Sequence, residues 1–285
     1  MIWQAGSYNQ RGQLTAYSLG DNLDVTRVWD SYGFPREIVV DQVNPAENLT
    51  DQEYDFDPKT ANLTARKEWK YYRFEHFRYD DLNRLVADSL GSADYRNTSY
   101  TANGNITSRS DIGDYVYSQT HAGPHAVTGI ENSTGGHLPA FSQSTGYTAF
   151  NKAAYISQGD YTCYITYGPD RLRRKTVLNH TPGDNTVLTK YYAFASPQGG
   201  FGDYEKEIDA NGTRELHYIS GGDGLAAIYV KYDTGADSLF YIMQDHLGSL
   251  VGDINSESGH FYRQSFDASS VTCGFGFASS PNPSV

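Results

Sequence analysis

The chain has 285 residues, 24 of them tyrosine, and a formal net charge of −12. That length fits one large domain or two ordinary ones. An acidic chain with scattered basic residues argues against a nucleic-acid surface, which needs concentrated positive charge to displace counterions, and no segment reaches the apolar length needed to cross a bilayer.

Aromatic and β-branched residues suit a pleated, half-buried surface. Gly, Asn and Asp supply the positive φ angles of tight hairpins. The composition therefore predicts an all-β fold with few or no long helices. The N-terminal MIWQAGSYNQRGQL has no basic region followed by an apolar one, so no signal peptide is read there. WDSYGFPREIVV, around Tyr32 and Gly33, reads as strand, turn, strand. VNPAENLTDQEYDFDPKT is acidic, carries prolines, and reads as a loop or a worn copy of the same unit.

FEHFRYDDLNRLVADSL could form an amphipathic helical turn from Leu82, Leu85, Val86 and Leu90. Strand, turn, strand is preferred, because the skeleton recurs where the composition is not helical. Tyr79-Asp80-Asp81-Leu82-Asn83-Arg84-Leu85 matches Tyr100-Thr101-Ala102-Asn103-Gly104-Asn105-Ile106 in order: aromatic, small or acidic pair, turn residue, polar residue, aliphatic. The two tyrosines are about one repeat of the 20-residue class apart. Looser copies start at Tyr167, as YGPDRL, and at Ile208, as IDANGTR. One such unit cannot bury its aromatic face alone, but stacked on neighbours it can.

Further along, YTCYITYG alternates as a strand, with Cys163 read as a buried apolar residue. Cys163 and Cys273 are too few for a disulfide framework and do not decide the redox compartment. Arg171, Arg173, Arg174 and Lys175 form the single basic cluster, read as one solvated strand face. LAAIYVKY is apolar on both faces and suits a strand covered on both sides.

Chemistry is sparse. Asp245 and His246 are adjacent, and neighbours in a strand point to opposite faces, so they read as turn formers ahead of Gly248 and Ser249 rather than as a catalytic pair. His121, His125 and His137 lie in a Gly- and Pro-rich stretch with no fourth ligand at regular spacing, so no metal is assigned. Ser144 and Ser249 lack a nucleophile elbow, and no Gly-rich phosphate loop opens a helix. Neither a cofactor nor an enzymatic activity is assigned.

These residues resemble the YD repeats of the Rhs family, whose core pattern is Tyr-Asp-x-x-Gly-Arg-Leu. RYDDLNRL keeps it with Asn83 in the Gly place, and Asn is the next best residue for a positive φ. YTANGNIT keeps the turn and loses the Asp. Nearer the C-terminus, YIMQDHLGSLVGDINSESGHFYRQSFDA is similar to the opening of the Rhs repeat-associated core. It carries Asp245, His246, Leu247, Gly248 and Ser249, then Phe266 and Asp267. GPHAV around His125 resembles a connector between repeats. After Ala268 the family would continue with Trp-Gly or Phe-Gly, further core and a closing Asp-Pro motif. Here SSVTCGFGFASSPNPSV follows, which reads as a truncation or frameshift junction.

The resemblance implies β-hairpins forming part of a spiral Rhs/YD-repeat shell. Residues 1–70 are taken as divergent repeats, 71–190 as the YD-repeat region, 191–268 as the start of the repeat-associated core and 269–285 as an atypical tail. The expected function is a non-catalytic structural segment of a shell that encapsulates or presents a C-terminal toxin domain absent here. Its expected partners are the remainder of that shell and the toxin, with location outside the cell or at its surface as part of a longer protein. An extracellular carbohydrate- or protein-binding module, with glycans or cell-surface proteins as partners, is the alternative. The structural residues singled out are Tyr79, Asp80, Leu85, Tyr100, Asn103, Gly104, Ile106, Tyr167, Asp245, His246, Leu247, Gly248, Ser249, Phe266 and Asp267.

Overall fold

A computed structural model describes residues 1–91, 94–117, 123–133, 143–181, 183, 185–193 and 204–264. Every regular element among them is a β-strand, and the strands form two antiparallel sheets in strict chain order. The first sheet opens with β1 (Trp3–Tyr8), β2 (Leu14–Leu19), β3 (Leu23–Trp29), β4 (Pro35–Gln42), β5 (Glu47–Phe56) and β6 (Leu63–Glu68). It continues with β7 (Arg73–Tyr79), β8 (Leu85–Leu90), β9 (Arg96–Tyr100), β10 (Ile106–Arg109), β11 (Gly113–Val116) and β12 (Gly129–Glu131). The second sheet holds β13 (Gln143–Tyr147), β14 (Ala153–Gln158), β15 (Tyr161–Tyr167), β16 (Arg173–His180), β17 (Asn185–Ala193) and β18 (Tyr204–Asp209). Its remaining strands are β19 (Gly212–Gly221), β20 (Gly224–Tyr232), β21 (Ser238–Gln244), β22 (Leu250–Asn255) and β23 (Phe261–Arg263). Position 70 falls in the turn between β6 and β7, and position 190 falls within β17, so the ladders run on through both.

Period-two alternation sets the faces. In β3, Leu23 and Val25 are buried while Asp24 and Thr26 are exposed; in β4, Ile38 and Val40 are buried. These meet Ala226, Met243 and Ile254 of the second sheet in one cluster, so the two sheets pack face to face. Burying one such aliphatic side chain is worth about 1.5–3 kcal/mol. β20 is buried at four consecutive residues, Leu225 to Ile228. It gives Ala226 to that cluster and Leu225, Ile228 and Val230 to a second, as the doubly apolar run predicts.

Of the two readings of VNPAENLTDQEYDFDPKT, a loop or a worn copy, the loop does not form: the segment holds a strand and a variant of the repeated turn. β5 pairs with β4 and β6 along its length. Its acidic residues mask the pattern: Asp51, Glu53 and Asp55 alternate with Thr50, Gln52 and Tyr54, and the latter three are buried. Lys67 Nζ reaches both Glu53 Oε1 and Asp55 Oδ2 at 3.0 Å, and Trp69 Nε1 donates to Glu53 Oε2 at 2.7 Å. The charge that suggested a loop is neutralised across one strand pair. The extra residue of a bulge, Leu49, is buried as well.

The basic cluster is not one strand face. At the start of β16, Arg174 is the extra residue between the pairs Thr166 with Lys175 and Tyr167 with Arg173. The bulge places Arg173 over the ring of Tyr192 and Lys175 over that of Tyr191. Those tyrosines are consecutive in a regular ladder and so point to opposite faces.

Close approach between the sheets demands glycine at two contacts. A Cβ on Gly20, whose φ is +61°, would lie 2.5 Å from the ring of Tyr241. Trp3 of β1 lies against Gly221 and Gly222 in the same way, and Arg27 pairs with Asp223 beside them.

Candidate functional site

The feature that organises the molecule is one turn, used repeatedly. Its first residue accepts a backbone hydrogen bond from the residue three further on and donates one to the residue four further on. This holds for the turns starting at Asn9, Asp30, Asp80, Thr101, Thr148, Gly168 and Asp245. Where the first residue is Asx or Thr, its side-chain oxygen also accepts the N–H four residues on: Asp80 Oδ1 takes Leu82 at 3.0 Å and Arg84 at 2.9 Å, Asp245 Oδ1 takes Leu247 at 2.9 Å and Ser249 at 2.8 Å, and Thr101 Oγ1 takes Asn105 at 3.0 Å. The fourth residue has positive φ: Gly12, Gly33, Asn83, Gly104, Asn151, Arg171 and Gly248. This is why the skeleton favours Asp, Asn or Thr first and Gly or Asn fourth; the Gly168 turn, with Arg171 fourth, departs from it at both places. Asp57 begins a version one residue longer, with Ala61 at φ +60°.

An aromatic residue precedes most of these turns, and its polar tip reaches back. Trp29 Nε1 donates to the Leu14 carbonyl at 2.9 Å, and Tyr79 Oη to that of Leu63 at 2.9 Å. Tyr100 Oη donates to Leu85 at 2.7 Å, and Tyr167 Oη to Ala153 at 2.9 Å. Each acceptor is the first residue after the preceding turn. Burial pushes the Tyr79 and Tyr100 phenols up, so both stay protonated donors.

In several of the turns the closing residue reaches forward: Gln13, Arg84, Asn105 and Lys152 each donate to a later backbone carbonyl. Arg84 Nε holds Asp80 Oδ2 at 2.8 Å, Arg84 Nη1 donates to the Thr101 carbonyl at 3.1 Å, and its guanidinium lies 4.7 Å above the ring of Tyr100. The Arg84 hydrogen bond holds the Asp80 carboxyl below its usual range. Lys152 repeats the arrangement against Arg171 and Tyr167. Tyr79, Asp80 and Leu85 thus sit in one joint, and Tyr100, Asn103, Gly104 and Ile106 in the next. The Tyr100 to Leu85 bond ties the two together, while Tyr167 serves the second sheet. Arg84 was absent from the sequence selection although it stands in RYDDLNRL; the Asp four residues before it was the available signal.

The Asp245 to Ser249 turn joins β21 to β22 and stands on the first sheet. Its Leu247 is 78% exposed. The His246 ring packs 4.3 Å from Tyr54 and 5.7 Å from Phe56, and the His246 N–H points at Tyr54 Oη, 3.3 Å away. Burial lowers the His246 pKa, which keeps the ring neutral. The Asp245 carboxylate serves its own turn and faces Arg66 at 3.9 Å. Beneath it lies a polar crevice between the sheets. Arg66 pairs with the buried Glu75 at 2.6 Å, Arg73 approaches Glu75 at 3.8 Å, and Arg263 lies 3.9 Å above the ring of Tyr71. Burial pushes the Glu68 carboxyl at its edge upward. Paired charges of this kind contribute orientation more than net stability.

Ile208 to Arg214 is a different device. Asp209 pairs directly with Gly212, making a two-residue hairpin turn instead of the five-residue one. His125 Nδ1 lies 2.6 Å from Asn105 Oδ1. Among the described residues no three His, Cys, Asp or Glu side chains converge as a metal site. His121, His137, Phe266, Asp267 and Cys273 lie outside the described residues.

No family profile and no curated protein matches the sequence. Solved structures do match. The crystal structure of TcdB2-TccC3-TEV aligns over 91% of this chain with a TM-score of 0.63 and 12% identity. A Photorhabdus luminescens Tc holotoxin pore bearing a mutated TccC3 gives 0.63 and 13% over 91%. TcdB2-TccC3-Cdc42 gives 0.64 and 13% over the same share. In each, this chain spans 15% of the other's length. The fold is therefore that of a β-hairpin repeat segment, and it is shared with part of these much longer chains.

Proposed function

We propose that this chain is a non-catalytic structural segment of an Rhs/YD-repeat β-shell, which in a longer protein encloses or presents a C-terminal toxin domain outside the producing cell. The observation that carries the reading is the joint itself. Tyr100 reaches the Leu85 carbonyl of the preceding repeat, and Arg84 reaches the Thr101 carbonyl and the Tyr100 ring of the next, so these contacts are met only when another repeat stands beside them. The likeness to Tc toxin chains, which are Rhs/YD-repeat proteins, supports it. Such a wall works by steric exclusion: ordered strands leave few open edges for a partner or a protease.

The test is electron cryomicroscopy and limited proteolysis of the complete gene product from which the chain comes. A hollow shell with the C-terminal part protected until the wall is cleaved is the expected result. A solid sandwich with a freely digested C-terminal part would overturn the reading.

A further inference from the structure

Three side chains of the first sheet end in a polar atom that no described residue satisfies. Thr50, Gln52 and Glu75 are 1%, 3% and 2% exposed, and Thr50 Oγ1, Gln52 Nε2 and Glu75 Oε1 have no hydrogen-bond partner. All three line the crevice beneath the Asp245 turn. Protein interiors leave few such groups, because each carries its desolvation cost until a partner meets it.

The orientation of the Gln52 amide is fixed. Tyr54 Oη faces the His246 N–H and gives its own proton to Gln52 Oε1, so the Nε2 edge is a donor facing the crevice. Glu75 Oε2 is held by Arg66, whereas Arg73 reaches Oε1 only at 3.8 Å. An amide donor and a hydroxyl thus stand on β5 and a carboxylate oxygen on β7, with β6 between them.

Charge decides what kind of molecule fits. Arg66, Arg73 and Arg263 line the space against Glu68, Glu75 and Asp245, so guanidinium and carboxyl groups balance. Lys67, also at the lining, gives its ammonium to Glu53 and Asp55 instead. A net anion or a net cation would upset that balance at a desolvated place. An apolar molecule would leave the three polar atoms unmet. The cavity measures about 40 Å³, room for about three waters, and the exposed Arg263 stands at its rim.

We infer that the crevice is a binding site for a small amino-acid zwitterion of about glycine's size, its carboxylate on Gln52 Nε2 and the Thr50 hydroxyl and its ammonium on Glu75 Oε1. The site depends only on how the two sheets pack, so its failure would leave the shell reading untouched.

The test titrates glycine, acetate and methylammonium separately into the full chain at neutral pH, by calorimetry. Glycine should bind saturably at one site. Acetate and methylammonium, each meeting only part of the partners, should bind about tenfold more weakly or worse. Thr50→Val keeps the shape and removes the hydroxyl, and it should lose about tenfold in glycine affinity. Its melting midpoint without ligand should be unchanged or higher, because an unmet buried hydroxyl has gone. Thr50→Ser should keep the affinity. No saturable heat with glycine, acetate binding as tightly as glycine, or equal glycine affinity in Thr50→Val would each overturn the inference. So would a melting midpoint that climbs with glycine without saturating and equally in both proteins, the mark of general solute exclusion.

Discussion

The hydroxyl of Tyr100 donates to the carbonyl oxygen of Leu85 at 2.7 Å, across the boundary between two consecutive repeats. Tyr100→Phe keeps the ring and removes only that bond. It should cost about 1 kcal/mol, since the Leu85 carbonyl then loses its side-chain partner. Tyr100→Ala should cost more, because the Arg84 guanidinium loses its ring as well. Chemical denaturation of both variants checks the order, and equal losses would sink the assignment of a separate hydroxyl contribution.

Positive φ makes a second prediction at Asn83 and Gly104. Asn83→Gly should be neutral or stabilising, whereas Asn83→Val should cost about 1–2 kcal/mol, because a β-branched side chain resists the left-handed region. Gly104→Val should behave like Asn83→Val. A Cβ at position 104 meets nothing within 4 Å, so its cost is one of backbone alone. An unchanged melting midpoint for Gly104→Val would reject the turn geometry.

Between the sheets, Gly20→Ala should destabilise by about 1–3 kcal/mol through overpacking against the Tyr241 ring. Tyr241→Leu in the same background should recover part of the steric loss. If the double variant is no better than the two losses added together, the two residues do not meet as described.

Asp253 gives a pH dependence with a definite sign. It sits in β22 opposite Ile242 and Tyr262, its Oδ2 is buried without a hydrogen-bond partner among the described residues, and burial raises its pKa to about 6. The unfolded chain holds such a carboxyl near 3.9. The protonated form therefore favours the fold, and the contribution is complete below about pH 4 and lost as pH rises through about 6. Asp253→Asn should raise stability by about 1 kcal/mol at pH 8, allowing for partial solvent screening, and by little at pH 4. Melting curves at the two pH values check this; an equal shift at both would refute it.

Much of the architecture was legible because turn chemistry is local. Aromatic, Asp or Thr, and a left-handed residue three further on fix the hairpins at Tyr79 and Tyr100 without reference to anything distant. The same rule applies to Tyr8-Asn9 with Gly12 and to Tyr147-Thr148 with Asn151. The first is masked by its polar surroundings, with Asn in place of Asp, and the second is masked because Thr and Asn replace Asp and Gly together. Asp245 belongs to the same rule, yet its motif looked separate because Gln244 replaces the aromatic. β5 was hidden by acids whose neutralising lysine lies in another strand. The crevice around Arg66 and Glu75 could not be read at all, since it depends on how one sheet lies upon the other. Ile208 satisfied the letters of the pattern, but Asp209 and Gly212 pair directly and leave no room for the longer turn.

The seat of Trp3 on Gly221 and Gly222 carries a cost in time. A ribosome adds about 5–20 residues per second, so the indole of Trp3, the first residue of β1, is made on the order of ten seconds or more before its seat exists. Until then the Trp3 indole lacks the surface that receives it in the folded chain, although β1 can already pair with β2.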